Sequence, residues 1–207
     1  LCFTHKVSRI WATILMFLIG IRYKIRGAEY LDKDEAYIIV ANHSTQLDIP
    51  MCALATKNNA KYLAKHELGK IPLLGWIIRN FYITVKRKSA SDRSKSMQIM
   101  SSWLQKGVSI IIYPEGTRNR TKEPVAKLYD GAFRLAVTSK KPLAVLSIKG
   151  ASDRLSTQEY FSLNPGKIEL IWEKPIETAN YSEKDIPALK ERVREIWIQN
   201  LTENNEK

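Results

Sequence analysis

The chain has 207 residues, 44% of them hydrophobic, and its 33 basic and 21 acidic residues give a net charge of +12. This length and apolar content exclude a disordered chain and predict one domain with a substantial core. The two cysteines, Cys2 and Cys52, are too few for a disulfide framework or a zinc site. We therefore expect no metal and a reducing compartment.

The basic excess favours an anionic partner, and nucleic acid and anionic lipid are the two candidates. Nucleic-acid readers usually concentrate their charge in a recognisable module, and this sequence contains none that we can identify. Much of the charge lies instead beside apolar segments. We therefore expect an anionic membrane surface as a partner and no nucleic acid.

Residues 1–26 are predicted to form a hydrophobic helix that anchors the protein to a membrane. Residues 10–21 are apolar and uncharged, with basic residues on both sides. As a helix this run rises about 18 Å, whereas a bilayer core is about 30 Å thick. A shallow anchor, or one arm of a hairpin completed by residues upstream of Leu1, fits better than a simple span. A buried core helix is the alternative. We expect the cytoplasmic face of the inner membrane.

Residues 27–207 alternate between strand-like and helix-like segments, which predicts one α/β domain with a sheet covered by helices. No linker divides this part of the chain. The predicted strands are residues 36–41, 61–64, 81–85, 108–113, 142–148 and 167–172. The predicted helices are residues 49–58, 72–79, 91–106, 126–139 and 185–202.

His43 and Asp48 stand five positions apart, just after the first strand of this domain. An imidazole accepts a proton from an alcohol when a carboxylate on its far nitrogen fixes the tautomer and orientation. Five residues of helix rotate about 500°, so the two side chains meet only if His43 precedes a helix that begins at Asp48. Pro50 supports that layout, because proline suits a first helical turn. The alternative is that Asp48 only caps its helix.

A second polar segment follows the strand at residues 108–113 and contains Glu115, Gly116 and Arg118. Loops at the carboxyl ends of strands build the sites of α/β folds. The planar guanidinium of Arg118 suits a phosphate or a carboxylate. A solvated turn in which Glu115 and Arg118 pair is the alternative.

Four ordered blocks of the chain resemble those of the glycerolipid acyltransferases typified by 1-acylglycerol-3-phosphate acyltransferase. The blocks are residues 43–48, 81–87, 114–118 and 142–146, and residues 62–76 are similar to the segment between the first two. The chain departs from the family in two places. Lys86 stands where an acid usually precedes the arginine, and Lys127 is displaced in the stretch that ends at Phe133.

The resemblance implies a mixed, largely parallel twisted sheet, as in glycerol-3-phosphate acyltransferase. It implies transfer of an acyl group from acyl-carrier protein or coenzyme A to the sn-2 hydroxyl of 1-acyl-glycerol-3-phosphate, which gives phosphatidic acid. These thioesters are co-substrates, and no bound cofactor is implied. Another acceptor (glycerol 3-phosphate or a lyso-aminolipid) and a non-catalytic anionic-lipid-binding protein are the alternatives.

The matching blocks also imply roles for individual residues. His43 would be the general base and Asp48 would orient it. Arg118, Arg87 and Lys65 would bind the acceptor phosphate. The same phosphate-binding set includes Glu115, Gly116 and Thr117; Glu115 would orient Arg118 or the loop, and Gly116 would let the backbone approach the substrate.

Overall fold

A computed structural model describes residues 2–65, 82–85, 89–156 and 162–203. Within these residues, seven strands form one sheet in the order β1-β7-β6-β2-β5-β3-β4. The strands are β1 (Ile21–Arg26), β2 (Ile38–Ala41), β3 (Ala60–Lys65), β4 (Tyr82–Val85), β5 (Ser109–Ile112), β6 (Leu143–Lys149) and β7 (Gly166–Trp172). Only the β6–β7 pair is antiparallel among them, so the predicted mixed, largely parallel sheet is confirmed.

Helices cover both faces of this sheet. They are α1 (Cys2–Leu18), α2 (Asp48–Ala55), α3 (Ala90–Gln105), α4 (Gly131–Ser139), α5 (Ala151–Arg154) and α6 (Ile186–Thr202). One core cluster contains Phe133 of α4 and Trp197 of α6, and the other contains Met16 of α1 and Met51 of α2. The central strands β2 and β5 are completely buried, as expected of parallel strands covered on both faces.

The predicted elements agree with the structure over most of the described chain, and two of their boundaries are shifted by three residues or more. The helix predicted at residues 126–139 begins only at Gly131, and the helix predicted at residues 49–58 ends at Ala55. The helix predicted at residues 72–79 lies outside the described residues. The last helix, predicted at residues 185–202, is confirmed as α6.

Strand β1 was not predicted, because its residues were assigned to the basic flank of the anchoring helix. Residues 21–26 read Ile-Arg-Tyr-Lys-Ile-Arg, and they pair in parallel with β7 along the whole strand. Their apolar and basic side chains alternate with the period of two that a strand requires. Gly27 ends the strand at a φ of 72°, and a Cβ there would lie 2.2 Å from the Trp172 carbonyl oxygen. The sheet therefore begins inside the segment that was assigned to the anchor.

Helix α1 is buried on one face and exposed on the other. Its Ala12 and Met16 are buried in the core cluster that contains α2, and Nε2 of His5 donates to the Thr56 carbonyl oxygen at 2.8 Å. On the opposite face Phe17 is 83% exposed and Leu18 is 73% exposed. The alternative interpretation of this segment as a buried core helix is therefore wrong. None of the helices in the described ranges has the length and apolarity needed to cross a membrane.

Candidate active site

His43 and Asp48 meet as predicted, in the bend between β2 and α2. Nδ1 of His43 lies 2.8 Å from Oδ2 of Asp48, and the Asp48 side chain is completely buried. The same carboxylate oxygen accepts the backbone N–H groups of Ser44 at 2.6 Å and Thr45 at 2.8 Å. Three donors therefore converge on one carboxylate oxygen, and they hold the turn in the shape that brings the imidazole to it.

The alternative that Asp48 only caps its helix is wrong. Its carboxylate accepts N–H groups from the turn before the helix, and it makes no capping bond to α2. Because a carboxylate accepts and does not donate, Nδ1 of His43 carries the proton. The lone pair of Nε2 is then free, since no described residue bonds to that atom. This tautomer is the one that a general base needs.

The start of the turn is tied to the neighbouring strand by Asn42. Its side-chain amide donates to the Ile148 carbonyl oxygen at 3.0 Å, and its side-chain oxygen accepts the Ile148 N–H at 2.7 Å. Asn42 is buried, so both bonds form away from water. The residue before His43 is thus fixed to β6, and a cavity of about 890 Å³ opens beside it, lined in part by Ser44 and Asn119.

Glu115 does not have the predicted phosphate-binding role. It is only 2% exposed, and its two carboxylate oxygens accept the N–H of His43 at 2.7 Å and the N–H of Ala126 at 3.0 Å. Burial raises the pKa of Glu115, and the two N–H groups partly offset that rise. A carboxylate with both oxygens occupied in the interior braces the loops and does not face a ligand. Its predicted ability to orient the loop is consistent with these bonds.

The turn after β5 is joined to the His43 loop through its backbone as well. The Asn119 N–H donates to the His43 carbonyl oxygen at 2.7 Å, and the Gly116 N–H donates to the Tyr113 carbonyl oxygen at 3.0 Å. Gly116 has a φ of 71°, a left-handed conformation that favours glycine. The turn geometry accounts for this glycine, and its N–H is already used within the turn.

The side chains of Arg118 and Thr117 form none of the hydrogen bonds of this network that the structure describes. Thr117 is exposed and Arg118 is half-buried. In the described part of the chain no carboxylate forms an ion pair with Arg118, so the alternative of a local Glu115–Arg118 pair is wrong. Arg118 is left as a cation beside the His43 loop that can bind an external anion.

The structure does not describe the side chains of the other two predicted phosphate-binding cations, Lys65 and Arg87. Lys65 is the last residue of β3, and β3 runs parallel to β5 and β4, so its backbone lies at the sheet edge that carries the His43 loop. The Lys65 side chain and the whole of Arg87 lie outside the described residues. Their roles remain predictions from the resemblance.

Tyr113 is a residue of this site that the sequence analysis did not assign. Its ring stacks on the imidazole of His43, with ring centroids 4.2 Å apart and an angle of 22° between the planes. Its hydroxyl donates to Sγ of Cys52 at 3.3 Å. Cys52 is completely buried, and burial raises the pKa of its thiol to about 12. No sequence pattern distinguishes a stacking tyrosine from an ordinary core aromatic at the end of a strand.

The arrangement can activate an alcohol and bind an anion beside it. An oriented histidine supplies a base with a free nitrogen, and Arg118 supplies a positive charge from the adjacent loop. In the ranges that the structure describes, no group of three or more histidine, cysteine, aspartate and glutamate side chains could hold a metal ion. The fold and site thus define a class, the α/β proteins that position a histidine–aspartate pair at the carboxyl edge of a mostly parallel sheet.

Comparison with known proteins specifies the family within this class. The family described as "Acyltransferase" matches residues 22–149, and the chain belongs to that acyltransferase family. The matched residues include His43, Asp48 and the turn after β5. The predicted family and its enzymatic nature are thereby confirmed.

The chain is also similar to named relatives. It is 28% identical over 192 residues to 1-acyl-sn-glycerol-3-phosphate acyltransferase alpha of Mus musculus, covering 91% of this chain and 67% of that protein. It is 29% identical over 205 residues to the 1-acyl-sn-glycerol-3-phosphate acyltransferase of Saccharomyces cerevisiae, covering 95% of this chain and 65% of that protein. The chain thus spans about two thirds of the length of these relatives.

A solved structure has the same fold. The crystal structure of the 1-acyl-sn-glycerophosphate (LPA) acyltransferase PlsC from Thermotoga maritima superposes with a TM-score of 0.80 at 25% sequence identity. The match covers 98% of this chain and 81% of that one. The likeness therefore includes α1 and β1 as well as the region around His43.

Proposed function

We propose that the protein transfers an acyl group from a thioester to the sn-2 hydroxyl of 1-acyl-glycerol-3-phosphate and so makes phosphatidic acid. The observation that carries this proposal is the 2.8 Å contact between His43 and Asp48, which leaves Nε2 of His43 free to accept a proton. The names of the relatives in mouse, yeast and Thermotoga maritima support the choice of acceptor.

The chemistry needs one base and no covalent intermediate on the protein. Nε2 of His43 takes the proton of the acceptor hydroxyl as its oxygen attacks the thioester carbonyl. The carbon–sulfur bond then breaks, and the leaving thiolate receives the proton from His43. Asp48 keeps the ring oriented and stabilises the imidazolium between these steps. A serine nucleophile is unnecessary, because a thioester is already electrophilic.

The phosphate of the acceptor requires positive charge near the base. Arg118 is half-buried in the turn whose Asn119 N–H donates to the His43 carbonyl oxygen, so an anion bound by Arg118 would lie close to the base. Arg87 and Lys65 are added to this phosphate site by the family resemblance, and exposed Thr117 offers a hydroxyl donor. Gly116 shapes the turn that presents these groups.

A lipid acceptor also requires access to a membrane. The outer face of α1 presents a continuous group of exposed apolar side chains, namely Val7, Ile10, Trp11, Ile14, Phe17 and Leu18. Because α1 is 17 residues long, it rises about 26 Å and suits an orientation along the lipid surface. We place the enzyme at the cytoplasmic face of the inner membrane, where acyl-carrier protein and coenzyme A thioesters are its donors and anionic lipid is its surface.

The acceptor is tested by giving the purified protein 1-acyl-glycerol-3-phosphate, glycerol 3-phosphate and a lyso-aminolipid, each with acyl-carrier protein and coenzyme A donors. We expect phosphatidic acid as the main product by mass spectrometry. If the main product came from another acceptor, that acceptor would be the substrate and the proposed one would be wrong. The absence of any product, with lipid binding retained, would instead favour the non-catalytic anionic-lipid-binding alternative.

The membrane face is tested separately by vesicle co-sedimentation with anionic lipid. Phe17→Asp should weaken binding by about tenfold, because a charge replaces an apolar side chain at the lipid boundary. Thr13→Asp adds the same charge at an exposed position beside the apolar face and serves as the matched control. Equal losses in the two variants would mean that charge alone, and not the apolar face, governs binding.

A further inference from the structure

We infer that Tyr113 is a positioning residue that sets the plane of the His43 imidazole by stacking on one of its faces. This inference rests on the proposed function, since it assigns His43 the role of the base. Its observation is the stacked contact, with ring centroids 4.2 Å apart and planes inclined by 22°. None of the family comparisons assigns a role to this tyrosine.

A second ring contact is needed because one hydrogen bond does not fix an imidazole completely. The bond from Nδ1 to Asp48 sets the direction of one ring nitrogen, but the ring can still tilt about that bond. A stacked aromatic face removes the tilt, since offset-stacked rings prefer nearly parallel planes. Asp48 and Tyr113 together therefore determine where Nε2 points.

Both contacts of the imidazole depend on helix α2, which contains Asp48 and also Cys52, the residue that bonds to Tyr113. Asp48 begins the helix, and Cys52 stands four residues later, so the two side chains project from the same face one turn apart. Asp48 bonds to the imidazole, and Cys52 accepts the hydroxyl of Tyr113 at 3.3 Å. One rigid helix thus fixes the edge of the imidazole directly and its face through the tyrosine.

Tyr113 and Cys52 act through position and not as acid or nucleophile. Burial raises the pKa of the Tyr113 phenol well above its usual range and that of the Cys52 thiol to about 12. Both groups therefore stay neutral while the reaction proceeds. The ring face of Tyr113 has a further effect, because it attracts the positive charge that forms on His43 during proton transfer.

The chain offers a matched control for this tyrosine. Tyr62 is buried in the same core cluster, and its hydroxyl also bonds to α2, donating to the Ile49 carbonyl oxygen at 2.8 Å. Among the described residues, the ring of Tyr62 contacts that of Tyr82 and not that of His43. Tyr113→Leu and Tyr62→Leu therefore remove the same ring and the same kind of anchor, and only the first removes the stack on the base.

Kinetics of the two variants separate positioning from loss of core packing. Tyr113→Leu should lower kcat by about 10- to 100-fold with KM nearly unchanged, because Nε2 of His43 is no longer held in the reactive orientation while the substrate still binds. Tyr62→Leu should keep kcat per folded molecule within about threefold, and Tyr113→Phe should restore most of the lost activity, since the stacking face returns. Equal losses in the two leucine variants, or no recovery in Tyr113→Phe, would overturn the inference.

A substrate-free measurement distinguishes failure of this inference from failure of the proposed function. The chain has three histidines, so the ring protons of His43 can be followed by NMR. A stacked aromatic ring displaces the proton resonances of its neighbour, so the His43 resonances should move in Tyr113→Leu and stay in place in Tyr62→Leu. If this result holds while the wild-type protein transfers no acyl group, the proposed function is wrong and the stacking role stands. Unmoved His43 resonances in Tyr113→Leu overturn the stacking role whatever the activity.

Discussion

The two loops at the centre of the site differ in the direction in which their polar groups point. In residues 42–48, the side chains of Asn42 and Asp48 are buried and bonded to the protein itself. In residues 113–119, Glu115 turns inward in the same way, but Thr117 is exposed, and half-buried Arg118 has no ion-pair partner among the described residues. The first loop holds the proposed base in place without substrate, and the second leaves the proposed phosphate-binding groups available.

The largest effect should come from the first loop. We expect His43→Ala and Asp48→Asn to lower kcat by about 10²- to 10⁴-fold, because one removes the base and the other removes its orienting acceptor. Initial rates with 1-acyl-glycerol-3-phosphate at saturation measure this. Ser44→Ala should keep most of the activity, since it loses only the long 3.4 Å bond from the Ser44 hydroxyl to Oδ1 of Asp48 and keeps the 2.6 Å bond from the backbone N–H. Rates near wild type for His43→Ala would refute the mechanism.

The next largest effect should come from Glu115, whose carboxylate joins the two loops. Glu115→Gln replaces two acceptor oxygens by one oxygen and one donor, so the N–H of His43 or that of Ala126 loses its acceptor. We expect kcat to fall about tenfold and thermal stability to decrease, as for a buried donor left unsatisfied. Glu123→Gln, at an exposed position in the same region, is the control. A large rise in KM with unchanged kcat would show that Glu115 binds substrate after all.

Substitution of Arg118 should affect binding of the acceptor more than the rate of the chemical step. Arg118→Ala is expected to raise KM for a phosphorylated acceptor about tenfold and to change kcat little, because it removes a contact made before and during the reaction. Arg120→Ala removes an exposed arginine from the same segment and serves as the control. If an acceptor without phosphate suffers the same rise in KM, Arg118 does not bind the phosphate.

The smallest effect lies away from both loops, at the contact between α1 and α2. Burial lowers the pKa of His5, so below pH 6.5 the unfolded chain binds a proton that the folded chain still excludes. The free energy of unfolding should therefore fall as the pH drops from 6.5 toward the folded-state pKa. His5→Gln keeps a donor for the Thr56 carbonyl oxygen without titrating, and its unfolding curves should lack this component. Parallel pH dependences for the two proteins would rule out His5 as its source.

The sequence predicted the His43–Asp48 contact because spacing and a first-turn proline restrict the local backbone. It failed at Glu115, because a short motif does not reveal whether a carboxylate points toward solvent or toward the backbone of another loop. It also missed β1, since an apolar run followed by basic residues resembles an anchor and its flank more than an edge strand. Tyr113 was missed for a different reason: its partners, His43 and Cys52, are 70 and 61 positions away and are brought near only by the sheet.

The packing of α1 on α2 has a geometric consequence for the whole enzyme. The helix that begins with Asp48 is also the one against which α1 rests, through Ala12 and Met16. If the outer side of α1 adheres to a membrane as proposed, the packing of α1 on α2 holds the proposed base at a set distance from the lipid surface. The depth that the proposed acceptor must reach would then be determined by this single helix-to-helix contact.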